Sequence, residues 1–335
     1  MAKNLIDSFI AAAGIIKTIG SDKDNPKIIS EFKLKTGKKN QLLAFFKPEV
    51  FLDKTPEQVE KIMALVFKKL DEYKVNVDGA AMFPGKAIGK YSIMDRHYGV
   101  INTLSKNASK ILTKDERDLV FSTLGVKDKN VQILGGHEAF AIAGMDKTYD
   151  FDNYWLSVPS TKIKSGFYVR TMKIADNDTI VVDGFHPHQL AHYTGTDRSL
   201  GVMLVSSNTA WSVLRTEMLG ETFPEKALPN SIRGTLHRDA KAYGFEKVMI
   251  DNNILHLSAG PSEALFEIDN FLREPFGIDF IKEEANMAEK LLLTGFSVDE
   301  IRKMIHDKEL HGMLEHKDTD EAVKIAKEKF KPKSS

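Results

Sequence analysis

Apolar residues recur at helical spacing at the start of the chain. Leu5, Ile6, Phe9, Ile10, Ala13 and Ile16 share one face of MAKNLIDSFIAAAGIIKTIG. The spacing predicts an amphipathic helix. Asp7 interrupts the stretch and only Lys3 precedes it, so it does not read as a secretory leader. A polar run, KLKTGKKN, leads to Gln41–Phe46 (QLLAFF), an apolar block that predicts a buried strand ending at Lys47-Pro48. Thr55 to Gln58 then open a helix: a capping hydroxyl, a proline in the first turn and a glutamine that completes a capping box. Val59, Ile62, Met63, Val66, Phe67 and Leu70 follow on one face, and Val75–Phe83 (VNVDGAAMF) alternates like a strand. The chain therefore begins β-α-β.

Thr113 to Glu116 form a second capping box, for a helix running through Leu124 to a stop at Gly125. Residues 131–186 look β-rich, with FYVRTMKI and TIVVDGF flanking ADND as a hairpin. Leu200–Val205 (LGVMLV) predicts another buried strand, Asn208 a cap for a helix that stops at Gly220, and Ile254–Ser258 a short strand. Pro261 starts a helix with Ala264, Leu265, Ile268, Phe271 and Leu272 inward, ending at Pro275. From 283 onward the pattern is helical, with a capping box at Ser297–Glu300. With 107–198 set aside, the order is β-α-β … β-α-β. This predicts an α+β fold, a ferredoxin-like split βαβ antiparallel sheet with helices on one face. The expected organisation is an N-terminal helical extension (1–40), a domain made of 41–106 and 199–273, a β-rich insertion (107–198) and C-terminal helices (274–335).

The totals narrow the function. The 335 residues carry 47 Lys+Arg and 47 Asp+Glu, so the net charge is zero, unlike a dedicated nucleic-acid or polybasic membrane binder. The chain has no cysteine, which excludes disulfides, zinc–thiolate sites, iron–sulfur clusters and thiol nucleophiles. No apolar run approaches the length of a membrane span, and the expected compartment is the cytoplasm.

Gly79–Lys86 (GAAMFPGK) misses a phosphate loop by one residue and has Ala87 where a hydroxyl should hold magnesium, so it reads as a strand ending in a turn. Phe185–His192 (FHPHQLAH) places His186, His188 and His192 at a spacing that could meet a metal, although Pro187 and the lack of a second motif favour a packing or surface role. A third constellation is dispersed. Lys47 ends a strand, Thr222 and Arg233 lie in MLGETFPEKALPNSIR, His256 lies in NILHLS, and Glu267 follows on the next helix. A cleft holding a histidine, a lysine, an arginine and a supporting carboxylate suits phosphoryl transfer through a phosphohistidine, because the cations offset charge on the transferred oxygens. A core histidine in an apolar strand is the alternative.

Three separated segments resemble nucleoside diphosphate kinases, in order: LLAFFKPE their first strand, MLGETFPEKALPNSIRG their loop over the nucleotide, and NILHLSAGPSEALFEI their active-site stretch. The resemblance covers about 41–106 and 199–273. It implies that His256 takes the phosphoryl group and that Glu267 hydrogen-bonds its imidazole, with Ser258 helping. It further implies that Lys47 and Asn253 contact phosphate and ribose, that Thr222 and Arg233 bind phosphates, and that Tyr91 and Tyr98 contact phosphate and base. It implies ATP or GTP and nucleoside diphosphates as substrates, magnesium carried by the nucleotide rather than by a protein site, and a homo-oligomer. The sequence also departs from the family. Leu257 and Ala259 replace the Gly and Asp after the histidine. Thr216 stands where the family has Arg, with Arg215 one residue early and turned by about 100° on an α-helix, toward solvent or the insertion. The stretch 237–252 is longer and brings His237 and Arg238 near the site. These departures motivate the alternative of a nucleotide-binding or interaction protein without turnover.

Overall fold

A computed structural model of the chain describes residues 2–18, 24–164, 166–250, 252–283 and 285–332. The chain divides into two compact units, one of residues 1–91 and 196–335 and one of residues 92–195. Among the described residues the strands are β1 (Lys27–Ser30), β2 (Asn40–Phe46), β3 (Asn76–Pro84), β4 (Gln132–Gly135), β5 (Thr161–Lys164), β6 (Phe167–Ile174), β7 (Asn177–Val182), β8 (Ser199–Ser207) and β9 (Leu255–Leu257).

The first unit holds a five-stranded sheet ordered β1-β3-β8-β2-β9, with neighbouring strands antiparallel. Apart from the edge strand β1, this is the ferredoxin-like split βαβ order, with the helix Pro56–Glu72 crossing from β2 to β3. That helix carries the expected capping box at Thr55 and Gln58. Side chains alternate across β2. Leu42, Ala44 and Phe46 join one core with Phe9, Ala13 and Ile16 of the N-terminal helix Ala2–Thr18 and with Ile62, Met63 and Val66. Gly201 of β8 permits this contact, because a Cβ there would lie 2.9 Å from the Phe9 ring. On the other face, Phe45 and Phe83 meet Phe271 of the helix Pro261–Phe276, with ring centroids 5.5 and 5.6 Å apart. Helices thus cover both faces, not one. This explains why β2 and β8 are buried at every position and read as unbroken apolar runs.

Two helix ends differ from expectation. Asn208 does not cap the next helix, which begins at Trp211; its Oδ1 accepts from the Lys39 backbone N–H at 2.9 Å. Pro275 sits inside the last turn of its helix, where few backbone bonds remain to lose, and Gly277 at φ +71° makes the left-handed cap. Beyond it, the helices Met287–Leu293, Val298–Met304, Lys308–Met313 and Thr319–Phe330 build a core with Leu265 and Phe266. No helix among the described residues is long and apolar enough to cross a membrane.

The second unit begins at Ser92, ahead of the expected 107, because the helix Gly99–Ile111 belongs to its core. Its sheet is ordered β4-β7-β6-β5, with β4 and β7 parallel and the other pairs antiparallel. The β6–β7 hairpin turns at Ala175 and Asp176, both with positive φ, as a tight two-residue turn requires. The unit is mixed rather than β-rich. Gly136–Ile142 and Thr148–Ser157 are helices, and Ala139, Phe151 and Trp155 from them pack on Leu134, Met172 and Val181. Phe151 and Trp155 stand at i, i+4, the spacing that marks the helix.

Candidate active site

The site is organised by β9, whose middle residue is His256. The turn before it is strained: Ile254, a β-branched residue, has φ +59°, a conformation that costs about 1–3 kcal/mol. Two bonds from the end of β2 hold it there. The Lys47 N–H donates to the Ile254 carbonyl at 2.8 Å, and the Ile254 N–H donates to Glu49 Oε1 at 3.0 Å. Pro48 starts a single 3-10 turn that carries Glu49 inward. Within the sheet His256 pairs with Phe45, and their rings stack at 4.5 Å and 16°.

Glu267 lies on the helix Pro261–Phe276 and is fully buried. Its Oε1 is 2.7 Å from His256 Nε2, and its Oε2 accepts from Ser258 Oγ at 2.6 Å. The Leu43 N–H donates to Ser258 Oγ at 3.0 Å, so the carboxylate is tied through Ser258 to β2. A carboxylate accepting on both oxygens fixes the imidazole as the Nε2–H tautomer and directs Nδ1 away from itself. Burial holds the His256 pKa below the usual range. Arg215, Lys47 and Arg233 push the same way, and Glu263 opposes them. The ring is therefore neutral at pH 7, with a lone pair to offer an electrophile.

Both arginines lie close to the strand that carries His256, and each donates to backbone carbonyls. Arg215 is half-buried and its Nη1 donates to the Leu257 carbonyl at 2.6 Å, beside His256, rather than facing solvent. The reason is local. Trp211–Val213 is a single α turn, and Leu214–Leu219 is a π-helix whose Gly220 N–H bonds back to the Arg215 carbonyl at 3.1 Å. The wider π turn absorbs one residue and brings Arg215 round to the site. Arg233 is buried, and its Nη1 and Nη2 donate to the Gly220 and Leu255 carbonyls, each at 3.0 Å. Burial, helped by Arg215, pushes its pKa down to about 9.

Asn253 is buried and donates to the Thr222 carbonyl at 3.3 Å, while Thr222 itself is exposed. Tyr91 ends the helix Gly85–Lys90, with Lys90 Nζ 5.1 Å from its ring centroid. Tyr98 belongs to the second unit, where its hydroxyl is 3.5 Å from that of Tyr193. The longer 237–252 stretch does not bring its charges to His256. His237 Nδ1 contacts the Val248 carbonyl at 3.1 Å, and Arg238 is exposed and paired with Asp239. The three histidines of FHPHQLAH fall on the helix His186–Thr194 and do not gather their ring nitrogens into one ligand group among the described residues. Pro187 seats in its first turn, so the intervening residues set the rings around the helix instead of along a strand.

Two features escaped the sequence. Glu263 precedes Glu267 by one helical turn, and its Oε2 accepts from the Ala259 N–H at 3.2 Å. Burial and the nearby Glu267 push its pKa up to about 7, against His256 and Arg215. The i, i+4 spacing of the two acids was a usable signal. The other is the C-terminal extension, which braces the turn after His256. The His316 N–H donates to the Ala259 carbonyl at 2.9 Å, and the Trp211 indole N–H donates to the Ser258 carbonyl at 3.0 Å. Asp318 accepts from the Trp211 N–H at 2.8 Å and from Asn40 Nδ2 at 2.7 Å. The Leu314 carbonyl approaches Gly260 so closely that a Cβ there would lie 2.4 Å away.

Comparison with known proteins gives the following. No protein-family model matches the chain. The nucleoside diphosphate kinase of Pyrobaculum aerophilum is 28% identical over 134 residues, which span 39% of this chain and 72% of that protein. Among solved structures, the apo nucleoside diphosphate kinase of Encephalitozoon cuniculi aligns at 13% identity with a TM-score of 0.35, covering 73% of this chain and 97% of that one. The Borrelia burgdorferi enzyme with bound vanadate and ADP aligns at 15% identity with a TM-score of 0.32, covering 70% and 88%. In sequence the chain is similar, at 28% identity, to a nucleoside diphosphate kinase.

Proposed function

We propose that the chain is a phosphotransferase that moves the γ-phosphoryl group of a nucleoside triphosphate to a nucleoside diphosphate through a phosphohistidine at His256. The observation that carries this reading is the relay from Ser258 through Glu267 to His256 Nε2, which directs Nδ1 away from the carboxylate while Arg215 and Lys47 stand near the ring. In the first half-reaction the Nδ1 lone pair attacks the γ-phosphorus. The bond to the β,γ-bridging oxygen breaks, and the diphosphate leaves with that electron pair. The ring becomes cationic as the N–P bond forms, and the Glu267 carboxylate facing Nε2–H offsets that charge. In the second half a terminal oxygen of another nucleoside diphosphate attacks the phosphorus, the N–P bond breaks, and the neutral imidazole returns. Magnesium enters with the nucleotide as part of the substrate. Lys47, Arg215, Thr222 and Asn253 are the groups assigned to phosphate and ribose, and Tyr91 and Tyr98 to phosphate and base. A soluble cytoplasmic homo-oligomer completes the proposal.

One observation favours the second reading, a nucleotide-binding protein without turnover. Arg233 is buried and each terminal nitrogen donates to a backbone carbonyl, so two of the five N–H groups that the resemblance gives to the phosphates serve the fold. Initial rates with ATP and GDP varied together separate the two readings. Parallel double-reciprocal lines support the shuttle, intersecting lines argue for direct transfer, and nucleotide binding without any exchange establishes the second reading.

A further inference from the structure

The second unit contains a polar cluster that phosphoryl transfer does not use. Ser105 of the helix Gly99–Ile111, His137 in the first turn of the helix Gly136–Ile142, and Asp183 and His186 after β7 converge. Their hydrogen bonds accommodate the Nδ1–H tautomer at both rings. Ser105 Oγ donates to the Asp183 carbonyl at 3.2 Å, so it accepts from His137 Nδ1–H at 3.0 Å. His186 Nδ1–H donates to Gln189 Oε1 at 3.1 Å. In that tautomer both rings carry their lone pair on Nε2. His186 is fully buried, and its Nε2 has no hydrogen-bond partner.

The two rings stand 5.5 Å apart between centroids, tilted by 68°. Two imidazoles bound through Nε2 to one zinc ion, with Zn–N about 2.0–2.1 Å and an N–Zn–N angle near tetrahedral, have centroids about 5–6 Å apart. Outer hydrogen bonds on Nδ1–H are the arrangement by which proteins orient histidine ligands. The frame is tight. A Cβ on Gly135 would lie 2.1 Å from the Ser105 carbonyl, and one on Gly136 would lie 2.5 Å from the Asp183 carbonyl. Asp183 itself is held at φ +50° by its Oδ1 accepting the Tyr168 N–H at 3.0 Å.

We propose that His137 and His186 form a two-histidine site for a zinc-type divalent transition metal, with the open positions taken by water or an anion. Burial supports this by lowering both ring pKa values, His137 to about 4, so protons do not compete for Nε2 at neutral pH. Of the three histidines in FHPHQLAH, His186 contributes and His188 does not: its Nδ1 contacts Thr148 Oγ1 at 3.3 Å.

The test is titration of the full chain with zinc chloride by calorimetry at pH 7.5, in the wild type and in a His256→Ala background that removes any zinc taken by that ring. One site that persists in His256→Ala is expected. His137→Gln and His186→Gln should each weaken it by more than the roughly 10- to 100-fold that outer-shell changes cost. Ser105→Ala should fall within that range, and His188→Gln should leave the affinity unchanged. Cobalt(II) should give tetrahedral absorption bands that His137→Gln abolishes. His137 is only half-buried, so His137→Gln keeps the test decisive if His186→Gln unfolds. No binding at about 100 µM zinc in the His256→Ala chain, or unchanged affinity in His137→Gln, would overturn the proposal.

Discussion

His256 Nε2 stands 2.7 Å from Oε1 of Glu267, a fully buried carboxylate whose other oxygen is held by Ser258. Burial holds an imidazole so placed neutral, and on the proposed mechanism it faces a negative charge once phosphorylated. Glu267→Gln keeps the shape and removes the charge. On the proposed mechanism it should lower kcat by about 100-fold with little change in KM, the size of effect seen when one preorganised electrostatic partner is lost. Steady-state kinetics with ATP and GDP check this. A rise in KM at constant kcat would assign Glu267 to binding instead.

The π-helical turn assigns different work to the two arginines. Arg215→Ala should lower kcat/KM by about 10- to 150-fold, the worth of one charged hydrogen bond to phosphate. Arg233→Met should instead cost about 2–4 kcal/mol of stability, because the Gly220 and Leu255 carbonyls lose their donors inside the fold. Urea unfolding and kinetics on both variants distinguish the roles. A stability loss at Arg215 with a kinetic loss at Arg233 would reverse them.

Glu263 predicts a pH dependence of stability. Its pKa is about 7 in the folded chain against an ordinary 4.5. Between those values the folded state binds more protons than the unfolded one, so this group's contribution falls as pH rises through the window and is lowest above pH 7. Glu263→Gln removes that slope. Relative to wild type, the variant should gain stability on going from pH 5 to pH 8, read as the difference in urea midpoint. A difference that does not change with pH would show that Glu263 titrates normally.

The C-terminal brace predicts an effect at Gly260, which touches no substrate in this account. Gly260→Ala places a methyl group 2.4 Å from the Leu314 carbonyl, and overpacking of this kind costs about 1–3 kcal/mol. Because the same turn carries Ser258, phosphoryl transfer should fall as well. Thermal unfolding and turnover measured together test the coupling. A stable variant with reduced turnover would place the effect in Ser258 alone.

Much of this was legible in the sequence, for reasons specific to each element. The capping boxes at Thr55 and Ser297 and the unbroken run Gln41–Phe46 are local signals, and the structure repeats them. The grouping of His256, Glu267 and Ser258 was legible because the three lie close together in the chain, and the structure joins them by hydrogen bonds. The direction of Arg215 was not legible, because the chain makes a π turn where an α-helical phase would carry the side chain away from Leu257. The bonds of Arg233 to the Gly220 and Leu255 carbonyls were not legible, because its burial is a tertiary fact. The bracing of Ala259 and Gly260 by residues 314–316 was invisible, since the partners are some fifty residues apart and bond through backbone atoms that carry no sequence signature. The helices Gly136–Ile142 and Thr148–Ser157 were hidden in a stretch whose aromatic content favours strands on propensity alone.

The proposal that the phosphoryl group passes through His256 is tested most directly by following that group. The chain is incubated with γ-labelled ATP and magnesium, quenched in alkali and separated from nucleotide, alongside His256→Ala. Transfer through His256 predicts label on the wild type that is stable to alkali, lost in acid and discharged to labelled GTP when GDP is added, with none on His256→Ala. Label that persists on His256→Ala, or exchange between ATP and GDP in that variant above a few percent of wild type, would contradict it.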